Sequence, residues 1–375
     1  MTGKILLSTD IGSDPDDALS LLTMFNTGMD LGGIYTVNGD VNARACIAKR
    51  MVDLACKKIP VARGASRPLA NTKEPHYFFE DVYVEIEFLD EELNISRDKF
   101  PYKPLSKFGI IPDGVKDFTE KLSAGKHIVF SLAPMTNIAL AIQRKPEIVK
   151  NIERLYAMGF CLNDGELEHN IVHDPEAAQI VAESDTPLTI IPSELCRRYR
   201  MPVDMLDQLD SLTGDYMRKM TKGFLAAWLS MNFRSCLLNP SSAGIQTNLA
   251  NVLHTLFKER YMELKMLEDS YSAVFFTEKY FETYRNLISY LKEDKRPFMG
   301  EIINALEDME PKTLSIADVY VPYCFLHPER LKTEQTTISC NPDGKTYRIP
   351  DGKKHEIVTD LDFDHFQYFV KQNLR

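Results

Sequence analysis

Hydrophobic and polar positions along this 375-residue chain switch repeatedly between two periods. Short continuous apolar runs, the mark of strands buried on both faces, alternate with stretches in which apolar residues recur every three to four positions. Lys4-Ile-Leu-Leu-Ser-Thr9 predicts a first strand, and Ala18 to Phe25 the helix that follows it. Leu31 to Val37 predicts a second strand, Asn42 to Lys57 an amphipathic helix, and Pro60-Val-Ala62 a short third strand. His127 to Leu132, Leu155 to Gly159 and Pro187 to Ile191 repeat the strand pattern, with a helix from near Thr136. Strands separated by helices of this length predict an α/β fold, a mainly parallel central sheet flanked by helices.

Residues 70–115 break the rhythm with an acidic stretch, Glu85 to Glu92, and an aromatic run, Tyr77-Phe78-Phe79; they read as an insertion. From about 204 to 294 the pattern is helical and rich in Leu, Met and aromatics, an added helical subregion. The end returns to strands at Gln335–Cys340 and His355–Thr359, with Asn341-Pro-Asp-Gly344 as a turn and a last helix from Asp362. No stretch has the composition of a flexible linker, so a single domain over 1–375 is expected.

Composition narrows the partners. With 44% hydrophobic and 26% charged residues the chain is an ordinary globular one, and its net charge of −10 argues against nucleic acid or an anionic membrane as partner. Seven cysteines, an odd number, are scattered without a Cys-x-x-Cys pair. With no long apolar run and no signal peptide, they point to a reducing cytoplasm and away from zinc.

The densest chemistry lies between the first strand and the first helix, in Asp10-Ile-Gly-Ser-Asp14-Pro-Asp16-Asp17. Like charges this close repel unless a cation or a shared proton relieves them. Open α/β sheets place ligands at the carboxyl ends of their strands, where this cluster falls. Oxygen-only ligands favour a hard cation, Ca²⁺ or Mg²⁺. Helix capping competes as an explanation, but one or two aspartates would satisfy it. An EF-hand loop fails, because position twelve counted from Asp10 is Leu21.

Other predicted strand ends carry Asn38-Gly39-Asp40, Pro134-Met-Thr136-Asn137 and Asn163. Five stretches in order then resemble the inosine–uridine-preferring nucleoside hydrolase family. They are Asp10…Gly12…Asp16-Asp17-Ala18, Val61 to Leu69, Ser131-Leu-Ala-Pro-Met-Thr-Asn-Ile-Ala139, Glu168-His-Asn170 with Asp174-Pro-Glu-Ala-Ala178, and Ala317-Asp318 ahead of His327-Pro-Glu329. The resemblance implies a Rossmann-like nucleoside hydrolase fold and calcium-dependent hydrolysis of a ribonucleoside to ribose and free base. It implies a Ca²⁺ ion held by Asp10, Asp17 and Asp318 with a backbone carbonyl of Met135 or Thr136, and Asp16 as general base for the attacking water. Asp40 stands where the family usually has an asparagine touching the ribose, and Asn163, Glu168 and Asn170 would hold further sugar oxygens. Asp14 is extra: it would tune the base, reach the ion's surroundings and substrate, or cap the helix, with capping preferred. A homodimer or homotetramer and a role in nucleoside salvage are implied as well.

The chain departs from the pattern at Ala317, where pyrimidine-capable members carry a histidine that protonates the leaving base. Stacking on Tyr77, Phe78, Phe79, Trp228 or Phe233 could activate the base, as could another acid among His76, His169 and His173. His169 occupies the aromatic place of the Glu-x-Asn motif and so falls near the sugar. Losing the histidine tilts the expectation toward purine or modified-purine substrates. The rivals are another N-riboside, such as nicotinate riboside or a deazapurine nucleoside, and a non-catalytic nucleoside-binding protein. Arg197-Arg-Tyr-Arg200 reads as a surface ion-pair network rather than a phosphate site.

Overall fold

The computed structural model describes residues 3–12, 14–70, 109–163, 166–209, 211, 213–214, 216–218, 292, 296, 299–309 and 312–374. These residues fall into two compact units. One comprises the described residues up to Met217 and from Thr313 onward; the other runs from Arg218 to Lys312, and its one fully traced element is a helix over Met299–Met309. Most of the expected insertion and helical subregion, with His76, Tyr77, Phe78, Phe79, Trp228 and Phe233, lies outside the described residues.

The first unit is built on β1 (Ile5–Thr9), β2 (Leu31–Thr36), β3 (Val61–Arg63), β4 (His127–Ser131), β5 (Ile152–Met158) and β6 (Leu188–Ile191). Ordered β6-β5-β4-β1-β2-β3, these strands pair in parallel throughout. Every residue of β1 and β6 is buried, as strands covered on both faces require. A two-stranded ribbon joins β7 (Met201–Pro202) to β8 (Thr313–Leu314). The last strands, β9 (Leu331–Cys340), β10 (Thr346–Ile349) and β11 (Lys354–Leu361), extend the main sheet to nine strands among the described residues. Strand β11 runs parallel to β6 and antiparallel to β9, which pairs antiparallel with β10, so the sheet is mainly parallel with an antiparallel edge.

Helices α1 (Asp16–Asn26), α2 (Val41–Leu54), α3 (Gly114–Ala124) and α4 (Thr136–Arg144) follow β1, β2, β3 and β4 in the chain. Their starts are written in the sequence. Asp40 Oδ1 accepts from the backbone N–H of Asn42 and Ala43, both at 3.0 Å, and Asp113 caps α3 through the N–H of Lys116. The core is continuous, with Leu6, Val129, Leu155 and Ile190 from neighbouring strands packing with Phe118 and Ile138. Asn137 ties the strand ends together below the site: its Nδ2 donates to Ser8 Oγ and Thr36 O, and its Oδ1 accepts from Ala65 N at 2.9 Å. Gly64 lies so close to that amide that a Cβ there would sit 2.2 Å from Asn137 Oδ1. No described helix is long and apolar enough to cross a membrane.

Candidate active site

Asp10 directly follows strand β1, the chain turns through Gly12 at φ 108°, and α1 begins at Asp16. The residue that precedes α1 is Pro15, and no side chain caps the helix. Asp14 is therefore not the expected cap. Its carboxylate lies instead with those of Asp16 and Asp17, one oxygen of each falling within 4.8 Å of the others. Thr9 Oγ1 donates to Asp17 Oδ1 and accepts from Ile11 N at 3.2 Å, so the strand end holds the second carboxylate in place.

Asp318 arrives from the far end of the chain on a 3-10 turn, Ala317–Val319. Glu168, His169 and Asn170 come from the start of a short helix, α5 (His169–His173). The acidic residues meet at one cavity of about 240 Å³, whose wall comprises Asp10, Asp14, Asp16, Asp17, Glu168, His169, Asn170 and Asp318 with Leu132, Met158, Ser315 and Ala317. Pockets for drug-sized ligands run to about 300–1,000 Å³, so this space suits a sugar with part of its substituent outside.

Burial decides the electrostatics. It pushes the carboxyls of Asp16, Asp17 and Asp318 well above the usual carboxylate range; Asp14 raises Asp16 further, Asp10 raises Asp17, and Asp16 raises Asp318. Burial raises Asp10 too, opposed by the Arg44 guanidinium. Glu168 accepts from Asn170 N, Ile171 N and Phe160 N, yet burial outweighs these bonds and pushes it up to about 7. A divalent cation would relieve this repulsion, and a donor set made of oxygens alone fits Ca²⁺ or Mg²⁺ rather than zinc.

Three expected site residues stand outside this wall. Asp40 spends Oδ1 on the start of α2 and borders a separate cleft with Arg63 and Ser66. Asn163 is exposed, its carbonyl accepting from Glu166 N at 3.3 Å. Thr136 is buried at the start of α4 with Oγ1 donating to Asp174 Oδ2, while the Met135 carbonyl accepts from Ala139 N at 2.9 Å. His173 packs edge-on against the ring of His169, centroids 4.1 Å apart. The basic run is committed to surface partners: Arg197 pairs with Glu166, Arg198 with Asp360 while lying over the Phe363 ring, and Arg200 donates to Thr313.

Asn38, on an expected polar strand end, was given no role by the sequence reading, and Arg44 escaped it altogether. Asn38 hydrogen-bonds the Asp10 carboxylate through its side chain, and Arg44 lies fully buried against the same loop. The signal for Arg44 was there: it falls on the buried stripe of α2 with Val41, Ala45, Ala48 and Val52, where a charge is costly.

The family described as inosine-uridine preferring nucleoside hydrolase matches residues 5–368. A "probable uridine nucleosidase 2" of Arabidopsis thaliana is 29% identical over 232 residues, which span 58% of this chain and 68% of that protein. A solved inosine-uridine preferring nucleoside hydrolase from Bacillus anthracis covers all of this chain and 99% of its own, at 15% identity and a TM-score of 0.58. A solved inosine-guanosine nucleoside hydrolase superposes with a TM-score of 0.60 at 16% identity, covering 99% of this chain and 98% of its own. At such identities the likeness establishes the shared fold.

Proposed function

The chain belongs to the inosine–uridine preferring nucleoside hydrolase family, and from that membership we propose that it splits a ribonucleoside into ribose and free base with the help of Ca²⁺. It is an N-glycosyl hydrolase by family; the metal, the residue roles and the substrate are our reading. One observation carries it. Asp10, Asp16 and Asp17 from the start of the chain share a buried cavity with Asp318 from its end and with the hydrogen-bonding pair Glu168 and Asn170.

In this reading Asp10, Asp17 and Asp318 hold the ion, with Asp14 beside them, while Met135 and Thr136, one of which the resemblance gives a carbonyl role, lie outside the cavity wall. When bound, the ion supplies a Lewis acid that grips vicinal sugar hydroxyls and favours ionisation of nearby water. Asp16 takes the proton from the attacking water, a contribution worth about 10²–10⁴-fold. Glu168 is held by three backbone N–H groups and Asn170 by bonds from its Nδ2 to the carbonyls of Leu132 and Met158, so both meet the sugar from fixed positions. As the N-glycosidic bond breaks, positive charge grows on the anomeric carbon. The surrounding carboxylates stabilise that charge more than they stabilise a neutral nucleoside, and the difference lowers the barrier.

The departing base needs a proton or a stable anion. Ala317 lines the cavity with a methyl group and supplies neither. His169 is the one imidazole in the cavity wall among the described residues, and we assign it to the departing base. Purine or modified-purine ribosides, whose bases accept a proton readily, are the favoured substrates. The chain is read as one nucleoside-hydrolase domain, since the family match spans both of its compact units.

The test is a panel of purine, pyrimidine, nicotinate and deazapurine ribosides assayed for released reducing sugar, with and without chelator. Chelator-sensitive release from purine ribosides supports the reading. Binding of nucleosides with no release from any member of the panel contradicts it and favours a binding protein.

A further inference from the structure

Beneath the carboxylates lies a guanidinium that the reaction itself does not use. Arg44, in the first turn of α2, has no exposed surface. Its Nε donates to the carbonyl of Asn38 at 2.7 Å, and its Nη1 donates to the carbonyls of Asp10 and, at 3.1 Å, Ile11. One planar fork thus joins the loop leaving β1 to the loop leaving β2. Asn38 closes the arrangement from the other side. Its backbone sits in the left-handed region at φ 65°, which asparagine tolerates better than most residues, and its side chain hydrogen-bonds the Asp10 carboxylate. A buried cation is costly unless paired, and the charges Arg44 faces are those of Asp10 and Asp17, whose ionised forms it favours.

We propose that Arg44 is the positioning residue of the cation site: it locks the Asp10 and Asn38 loops together so that the carboxylates converge on a divalent ion. The inference rests on the reading above for the identity of that ion. The guanidinium has two effects of opposite sign. Its charge alone repels a second cation and weakens binding. Its geometry fixes the backbone from which Asp10 springs and strengthens binding. Three carbonyl contacts on two loops make geometry the larger effect. A mere counter-charge would behave in the opposite way, and its removal would tighten cation binding.

Two variants of the full chain separate these cases. Arg44→Lys keeps the charge but cannot span both loops, and Arg44→Gln removes the charge as well. Ca²⁺ affinity is measured by calorimetry, beside thermal melts and the kcat and KM for a purine riboside. The expected result is a cooperative melt for each variant, Ca²⁺ binding at least tenfold weaker than wild type, and activity recovered in part by raising Ca²⁺. General loss of packing would not give that recovery. Affinity within threefold of wild type, or tighter, in either folded variant overturns the proposal. So does failure of both variants to fold, which would make Arg44 a folding determinant alone. If wild-type protein binds neither Ca²⁺ nor Mg²⁺, the functional reading falls first and this inference with it.

Discussion

Ser20 Oγ donates to the backbone carbonyl of Asp318 at 2.9 Å, so a side chain from the first helix holds the turn that delivers a carboxylate from almost three hundred residues away. Both residues are buried. The bond lies on the same face of α1 as Asp16 and Asp17, one turn further along, and it sets how the two halves of the acidic cluster face each other. Ser20→Ala is expected to cost about 1 kcal/mol of stability, the usual net worth of such a bond. Its effect on kcat/KM should be larger than that figure implies for a remote site, about tenfold, because the lost bond positions a ligand. Steady-state kinetics beside a thermal melt checks this; an unchanged kcat/KM would detach Ser20 from the site.

Asp16→Asn keeps the shape of the base and removes its ability to take a proton. Turnover is expected to fall by about 10²–10⁴-fold with nucleoside affinity kept within a few-fold, read by single-turnover assay and equilibrium binding. The side chain also accepts from Asp17 N at 3.1 Å, and an asparagine oxygen preserves that bond. A variant with turnover near wild type would move the base elsewhere.

Protonation gives a signature in the metal-free protein. Asp16, Asp17 and Asp318 have carboxyls raised by burial, and Glu168 is pushed up to about 7. A carboxyl whose folded pKa exceeds its unfolded value contributes stability that is fully present below the unfolded value, and loses it as pH rises through the folded one. The melting temperature of chelator-treated protein is therefore expected to fall as pH rises from about 5, and Glu168→Gln should remove the part of that fall that levels off above about 7. Bound Ca²⁺ offsets the repulsion of the ionised carboxylates, so the gap between loaded and stripped protein should widen over the same range. Melts in both states across pH test this, and a gap that narrows with rising pH would contradict it.

His169 can be separated from the sugar site by choice of leaving group. His169→Ala is expected to lower kcat on inosine or guanosine by about a hundredfold, the lower end of the range for general acids. A nitrophenyl riboside, whose phenolate departs without a proton, should lose less than about threefold. Equal losses on both substrates would make His169 a packing partner of His173 and no more.

Much of this molecule could be read before its structure was known, for physical reasons. Parallel strands buried on both faces leave unbroken apolar runs, and Ile5-Leu-Leu and Ile128-Val-Phe are such runs. The acidic cluster was conspicuous because four like charges in eight positions demand compensation. Strand β10 was missed: in Thr346-Tyr-Arg-Ile349 the two middle residues are exposed, and only the turn ahead of them and pairing with β9 make it a strand. Asp14 was assigned to capping because a cap and a ligand both place a carboxylate ahead of a helix; the backbone that separates them comes from Pro15. Arg44 shows in the sequence only as a charge on the apolar stripe of α2; the contacts by which it and Asn38 join the two loops are not encoded by spacing along the chain.

The most direct measurement is ribose release from inosine by protein stripped with chelator and titrated with Ca²⁺, beside Asp318→Asn. Gathering of carboxylates from both ends of the chain around one cation predicts no release from the stripped protein and saturable recovery with Ca²⁺. It also predicts a recovery curve shifted to at least tenfold higher Ca²⁺ in the variant. Full activity after stripping, or an Asp318→Asn curve that overlays wild type, would contradict it.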